Sequence, residues 1–153
     1  MNKSPAVVRF FEEKDIPRLY LLMKELAAFE GYLDGFKITE QYLKDKGLGS
    51  NPLFQVLVAE VEGEILGYEA FYYVPFTYRA KPKMVLKELY LSPESRGFGL
   101  GTLLFDALKK QAKLHDAGSI EWLVLLDNEP AKSFYRKQGA ERDDEWETWL
   151  FEA

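Results

Sequence analysis

A glycine-rich segment, Arg-Gly-Phe-Gly-Leu-Gly-Thr at residues 96–102, lies between a strand pattern and a helix pattern. Residues 84–91 are mostly apolar and end at Ser92-Pro93, whereas leucines and alanines recur downstream at the spacing of an amphipathic helix. A glycine turn ahead of a helix presents successive backbone N–H groups, and the helix dipole adds roughly half a positive charge there. The segment therefore predicts a phosphate-binding site, although glycines that only allow positive φ in a surface turn would look the same.

Known phosphate-binding motifs can be compared with this segment. A P-loop needs Lys and then Ser or Thr after its last glycine, but Gly101 is followed by Thr102 and Leu103. A dinucleotide-binding fingerprint needs its third glycine three residues after its second, and Leu104 occupies that position. The pattern that remains is Arg-x-x-Gly-x-Gly.

The length, composition and net charge of the chain exclude several classes of protein and partner. A chain of 153 residues, 47% of them hydrophobic, suits one domain that spans residues 1–153. The absence of cysteine excludes disulfides and an acyl-cysteine intermediate, and His115 is the single histidine, so we expect no metal. The net charge of −5, without a basic stripe, argues against a nucleic-acid partner. Because no 18-residue apolar run and no signal-peptide pattern at residues 1–5 are found, we expect a cytoplasmic protein without a membrane partner.

The periodicity of the apolar residues predicts an α/β fold with the order β-α-α-β-β-β-α-β-α-β. The first helix begins near Asp15 and ends at Gly31, and Thr39 is the N-cap of the second. Glu62-Gly63 forms a hairpin turn, and the long third helix ends near Gly118. The predicted strands cover residues 6–11, 54–61, 64–73, 84–91, 120–126 and 145–152, with a further short strand near Ala140, and the last helix covers residues 129–138.

A second local pattern is Asp-Asn-Glu-Pro-Ala-Lys-Ser-Phe-Tyr-Arg-Lys-Gln-Gly-Ala at residues 127–140. Together with Arg-x-x-Gly-x-Gly and the element order, it resembles the GNAT superfamily of acetyl-CoA-dependent N-acetyltransferases, and most closely its spermidine/spermine (diamine) acetyltransferase-like branch. Residues 24–27 with Glu30, and residues 57–60, resemble the same branch. The resemblance implies a mixed, mostly antiparallel central sheet of six or seven strands flanked by about four helices, and a homodimer.

The resemblance also implies that acetyl-CoA is the co-substrate. Main-chain groups of Leu89, Tyr90 and Leu91 would bind its pantetheine arm, and the N–H near Leu89 would stabilise negative charge on the thioester oxygen. Arg96 would pair with phosphate or merely cover the loop, and Asn128 would bind the pantetheine or be an ordinary helix N-cap. The implied cofactor-binding residues are Leu89, Tyr90, Leu91, Arg96, Gly97, Phe98, Gly99, Leu100, Gly101, Thr102, Asn128, Ser133 and Tyr135.

Acyl transfer from a thioester to an amine needs a proton acceptor for the amine and a proton donor for the departing thiolate. A phenol with a reference pKa of about 10 can protonate a thiolate with a reference pKa of about 8.5. The resemblance places Tyr135 in this catalytic role and favours it over the alternative, in which Tyr135 packs as an ordinary aromatic. The branch has a Glu-Asp pair where this chain has Lys87-Glu88, so Glu88 is the candidate general base.

The implied substrate-binding residues are Glu25, Glu30, Lys87, Glu147 and Trp149. Glu25 and Glu30 could hold an amine or form surface salt bridges, and Trp149 could offer a cation–π face or belong to the core. Because Lys87 repels a polycation, the sequence does not determine whether the acceptor is a diamine, a polyamine or a lysine-like amino acid. The alternatives are a non-catalytic module that binds or senses coenzyme A, which Lys87 favours, and an acetyltransferase for protein or peptide amines.

Overall fold

The computed structural model describes residues 5–153, and the first four residues, which belong to the segment without a signal-peptide pattern, lie outside this range. In the described residues, one sheet has five strands that follow the order of the chain. The first four strands pair antiparallel and the last is parallel to the fourth, so the predicted mixed, mostly antiparallel sheet is confirmed. The strands are β1 (Val7–Phe10), β2 (Gln55–Val61), β3 (Glu64–Val74), β4 (Lys83–Leu91) and β5 (Ser119–Glu121).

Four α-helices occur within residues 5–153, as predicted, and their ends follow from local chemistry. Gly31 ends the first helix with a φ of 82°, a left-handed conformation that favours glycine. The Thr39 hydroxyl accepts a hydrogen bond from the Tyr42 backbone N–H at 3.0 Å, which confirms the predicted N-cap. The helices are α1 (Ile16–Glu30), α2 (Glu40–Gly47), α3 (Leu100–Leu114) and α4 (Glu129–Lys137). In this part of the chain, no helix is both long and apolar enough to cross a bilayer.

One face of the sheet packs against α1 and α2. Leu19 and Leu22 of α1 are fully buried in the same cluster as Val58 of β2 and Tyr68 of β3. Removing one such leucine from water contributes about 1.5–3 kcal/mol, so this cluster fixes α1 on the sheet.

The opposite face of the sheet carries α3, whose Leu104 and Leu108 are fully buried. Glu69 of β3 pairs across the strands with Leu57 and Leu89, alternates with the residues of the first cluster and therefore belongs to this second face. Its side chain is fully buried, and neither carboxylate oxygen has a hydrogen-bond partner among residues 5–153. Burial raises the pKa of Glu69 to about 9.

The C-terminal part of the chain corrects the predicted strand count. The chain divides between Leu123 and Val124 into two compact units, and β5 ends at Glu121, so the predicted strand at 120–126 is much shorter. Residues 124–153 contain no strand, so the predicted strands at 145–152 and near Ala140 are wrong, and the sheet of residues 5–153 has five strands rather than six or seven. A strand pattern forms a strand only when a neighbouring strand pairs with it, and α4 is the regular element of this unit.

Candidate functional site

The glycine segment follows β4 and is anchored by two buried serines. The Ser92 backbone N–H donates to the Leu66 carbonyl at 2.8 Å, and the Ser95 hydroxyl donates to the Ser92 carbonyl at 2.8 Å. Gly97 and Gly99 then adopt φ values of 85° and 80°, which L side chains rarely adopt. Among the described residues other than chain neighbours, no atom lies within 4 Å of the position that a Cβ would take at either glycine. The space beside each of these two glycines, where a Cβ would lie, is therefore open.

The N-terminal end of α3 gives this loop the chemistry of an anion site. Gly99 is the N-cap without a capping side chain, and no acidic residue lies in the first turn of α3. Such a helix end attracts anions. The Arg96 Nε donates to the Leu91 carbonyl at 3.2 Å, and its guanidinium lies 5.6 Å from the centre of the Tyr90 ring. Arg96 is thus held against the end of β4, next to the helix end, and the whole arrangement fits a phosphate group. The role of residues 96–102 in binding one stays a prediction.

A β-bulge in β4 brings two charged side chains to one cavity. Ala70 of β3 pairs with Glu88, but the next residue, Phe71, pairs with Leu86, so Lys87 is the extra residue of the bulge. Consecutive side chains of a regular strand point to opposite faces. Here Lys87 and Glu88 both line the same cavity, together with Ala70.

The cavity has a volume of about 380 Å³, which is in the range of small-molecule sites. Lys87 and Glu88 are its charged lining residues. The remaining lining residues are the aliphatic Met23, Ile38, Leu43, Leu53 and Ala70 and the aromatic Tyr42, Phe54 and Tyr72. The cavity suits a ligand in which an apolar chain carries charged groups.

Glu88 is the lining residue best suited to accept a proton. The Tyr68 hydroxyl donates a hydrogen bond to Glu88 Oε1 at 3.3 Å. Burial raises the pKa of Glu88 and the charge of Glu30 raises it further, whereas the Tyr68 hydrogen bond and Lys87 lower it. A carboxylate with a raised pKa is a stronger base near neutral pH, as general base catalysis requires.

The two predicted substrate-binding residues of α1 lie close to β4. Glu25 accepts a hydrogen bond from the Tyr90 hydroxyl at 3.1 Å. Burial raises the pKa of Glu30, and the positive charge of Lys87 lowers it, so Glu30 and Lys87 are electrostatically coupled. The structure therefore brings both acids towards the strand that carries Glu88, although neither residue lines the cavity itself.

The second unit holds the other predicted cofactor-binding residues, on or beside α4. Asn128 Oδ1 accepts a hydrogen bond from the Ala131 N–H at 3.2 Å, so Asn128 is the N-cap of α4, and its binding of pantetheine stays a prediction. The Tyr135 ring lies edge-on to the Phe134 ring with centroids 5.5 Å apart, and Ser133 is exposed on the same helix. The catalytic role of Tyr135 also stays a prediction.

Glu147 and Trp149 lie in the segment that was predicted as the final strand. The Trp149 indole N–H donates to Glu147 Oε2 at 2.9 Å, and the Trp149 side chain is 88% exposed. A core position for Trp149 is therefore wrong. Its exposed ring can still present a face to a cation, which stays a prediction.

Sequence reasoning missed Tyr68 and the aromatic walls of the cavity. Tyr68 and Ala70 alternate with Glu69 in the predicted strand at 64–73, which is a signal that both belong to the face opposite Glu69. Which residue of β4 lies beside Tyr68 and Ala70 depends on the register at the bulge. No residue type in the sequence indicates that register.

Comparisons with known proteins agree with this architecture. A model of the acetyltransferase (GNAT) family matches residues 15–140. Thialysine N-epsilon-acetyltransferase of Sus scrofa is 33% identical over 157 residues, which cover 95% of this chain and 90% of that protein. Spermidine/spermine N(1)-acetyltransferase-like protein 1 of Homo sapiens is 29% identical over 140 residues, which cover 87% of this chain and 20% of that protein.

A solved structure supports the fold. The aminoglycoside acetyltransferase meta-AAC0020 from an uncultured soil metagenomic sample, in complex with sisomicin, has a TM-score of 0.80 with this chain at 19% identity. The match covers 97% of this chain and 96% of that one. The chain therefore belongs to the acetyltransferase (GNAT) family and is an N-acetyltransferase of its diamine acetyltransferase-like branch.

Proposed function

We propose that this chain moves the acetyl group of acetyl-CoA directly to a primary amine of a small molecule. The observation that carries the proposal is the cavity of about 380 Å³ with Glu88 in its wall. It has the size of a small-molecule site and holds a carboxylate with a raised pKa. The names of the two relatives refer to thialysine and to spermidine and spermine, which are small amines of this class.

The residues proposed to hold the coenzyme lie along β4, the glycine loop and α4. When bound, acetyl-CoA supplies a thioester whose C–S bond breaks as a C–N bond to the amine forms. Backbone N–H groups of residues 97–102 and the charge of Arg96 would hold its diphosphate. Main-chain groups of residues 89–91 would hold the pantetheine arm, with Asn128 and Ser133 as further contacts.

Glu88 and Tyr135 are proposed to divide the proton transfers. An alkylammonium group with a pKa of about 10.4 is protonated at neutral pH and does not attack a thioester. The nitrogen loses two protons in the reaction. Glu88 accepts the first and passes it to solvent, and the second leaves the nitrogen for the medium after the C–N bond forms. Tyr135 gives a proton to the departing sulfur and regains one from the medium. Each turnover therefore releases one proton. Because the chain has no cysteine to carry the acyl group, direct transfer is expected.

The acceptor is proposed to lie in the cavity with its amine at Glu88. Lys87 lines the same cavity, and Glu25, Glu30, Glu147 and Trp149 are the further predicted contacts. A homodimer in the cytoplasm, expected from the sequence analysis, stays a prediction.

A second function is favoured by one observation. Lys87 places a positive charge beside the amine position, which would suit a module that binds coenzyme A without catalysis. An assay that mixes the protein with acetyl-CoA and a panel of polyamines, lysine-like amino acids and peptides distinguishes the enzyme from the binding module. Thiol release together with an acetylated small amine supports the enzyme, and transfer only to peptides contradicts a small-molecule acceptor. Coenzyme binding without thiol release for any amine supports the binding module.

A further inference from the structure

The two charged residues that line the acceptor cavity differ in how far they are exposed. Lys87 is exposed, whereas Glu88 is partly buried and accepts a hydrogen bond from the Tyr68 hydroxyl. Because both residues line the same cavity, Lys87 provides a positive charge on its more exposed side and Glu88 a carboxylate on its more buried side. A ligand that pairs with both charges would place a cationic group at the more buried Glu88 and an anionic group at the more exposed Lys87.

Among the described residues, the rest of the cavity lining offers no carboxylate for a second cation. All lining residues except Lys87 and Glu88 are apolar or aromatic. A diamine or polyamine that placed one nitrogen at Glu88 would direct its next ammonium at aromatic rings, which hold a cation more weakly than a carboxylate does, and at Lys87. Loss of hydration and repulsion between like charges both disfavour that pose.

We infer that Lys87 is the specificity-determining residue of the acceptor cavity, and that the acceptor is an amine with a carboxylate at the far end of an aliphatic chain. This inference rests on the proposed function. The reacting nitrogen would lie at Glu88, the methylene chain would lie along Met23 and Leu43, and the carboxylate would pair with the Lys87 ammonium. An amino acid with a terminal amine has this chemistry.

A purely structural role for Lys87 makes a different prediction. Lys87 lowers the pKa of both Glu88 and Glu30, so it could act only by offsetting their negative charge. Loss of Lys87 would then change the rate with every acceptor by the same factor, because every acceptor uses the same base. The ratio of kcat/KM between two acceptors at one pH cancels that common factor and reports recognition alone.

The test uses three acceptors with the same five-carbon chain: δ-aminovalerate, pentylamine and cadaverine. Their kcat/KM values are measured with wild type, Lys87→Met and Lys87→Glu. Wild type should prefer δ-aminovalerate over cadaverine by about fivefold or more, because an exposed charge pair forms with δ-aminovalerate and a repulsive contact with cadaverine. Lys87→Met should bring the ratio of kcat/KM for δ-aminovalerate to kcat/KM for cadaverine near unity. Lys87→Glu should reverse the preference.

Lys83→Met is the matched control. It removes a lysine from the same strand, one that pairs with Glu121 at 3.6 Å and does not line the cavity, so the wild-type ratio should persist. Thermal unfolding shows that each variant is folded. An unchanged ratio in both Lys87 variants, or no transfer to δ-aminovalerate by wild type, overturns the inference. Thiol release with other amines of the panel would then leave the proposed function standing.

Discussion

The Tyr68 hydroxyl of β3 donates a hydrogen bond to Glu88 Oε1 of β4 at 3.3 Å. Tyr68 is fully buried, so its hydroxyl is fixed relative to the sheet and directs the carboxylate. The bond favours the ionised carboxylate and lowers the pKa of Glu88 against the effect of burial. Tyr68 is therefore a positioning residue for the proposed base.

Replacement of Tyr68 tests this relationship. Tyr68→Phe keeps the buried ring and removes the donor, so the pKa of Glu88 should rise. The pH at which kcat/KM reaches half of its plateau on the acid side should move upward. Activity should fall severalfold at pH values below that midpoint and recover at higher pH, because Glu88 must be deprotonated to act.

The control for this prediction is Tyr73→Phe. It removes a hydroxyl from the same strand, one that donates to the Gln111 carbonyl at 3.3 Å and does not line the acceptor cavity. The acid-side midpoint should stay at its wild-type value in this variant. Identical shifts in Tyr68→Phe and Tyr73→Phe would show that the Tyr68–Glu88 bond has no influence on the base.

Gly97→Ala tests the glycine loop as the coenzyme site. An alanine at the φ of 85° found for Gly97 is strained by about 1–2 kcal/mol, so the loop should leave its left-handed conformation. Calorimetry should show coenzyme A binding weakened by about tenfold. Gly63→Ala imposes similar strain in the β2–β3 turn, where φ is 81° and the Cβ position is also open. Equal coenzyme affinity in the two variants would exclude the loop from binding.

Tyr135→Phe tests the proposed proton donor. The change removes the phenol hydroxyl and keeps the ring that packs edge-on to Phe134. Turnover should fall by about 10²–10⁴-fold, the usual contribution of a general acid, with little change in coenzyme affinity. Steady-state kinetics and calorimetry measure the two quantities separately. Wild-type turnover in this variant would remove Tyr135 from the mechanism.

Glu69 predicts an unusual dependence of stability on pH. Its pKa is about 9 in the folded protein and 4.5 ordinarily, so between these pH values the folded state keeps a proton that the unfolded chain has lost. The free energy of unfolding therefore falls as pH rises through this window, by about 3 kcal/mol at pH 7 relative to acid conditions. Glu30 and Glu88, whose pKa values are also raised, act in the same direction.

Glu69→Gln removes the titrating group and nearly preserves the side-chain volume. Denaturant unfolding from pH 5 to pH 8 should show a smaller loss of stability with pH in the variant than in wild type. Glu30 and Glu88 contribute to the slope that remains, because their pKa values are also raised. A variant whose slope equals that of wild type would show that Glu69 is already ionised in the folded protein.

Features that depend on neighbours in sequence were predictable. Thr39 caps α2 because its hydroxyl reaches an N–H three residues away, and Gly31 ends α1 because a left-handed residue stops a helix. The turn before α3 was visible in the same way, since Gly97 and Gly99 supply the positive φ values that it needs. Local chemistry thus predicted the helices and the loop.

Features that depend on distant partners were not predictable. The residues at 145–152 include aromatic residues and a threonine that favour a strand, yet Trp149 has no strand beside it to pair with in the second unit. Lys87 and Glu88 read as opposite faces of a regular strand, whereas their pairing with β3 makes Lys87 a bulge residue and puts both at one cavity. Only the register of the sheet reveals the charge pair and the contact of Glu88 with Tyr68.

The pH dependence of kcat/KM in Glu88→Gln is the most direct test of the proposed acceptor site. The glutamine can still accept the Tyr68 hydrogen bond but cannot take a proton from the amine. We predict a loss of about 10²–10⁴-fold in kcat/KM and the disappearance of the acid-side midpoint, with only the rise due to the amine's own ionisation remaining. A variant that keeps both the wild-type rate and the wild-type midpoint would contradict Glu88 as the base.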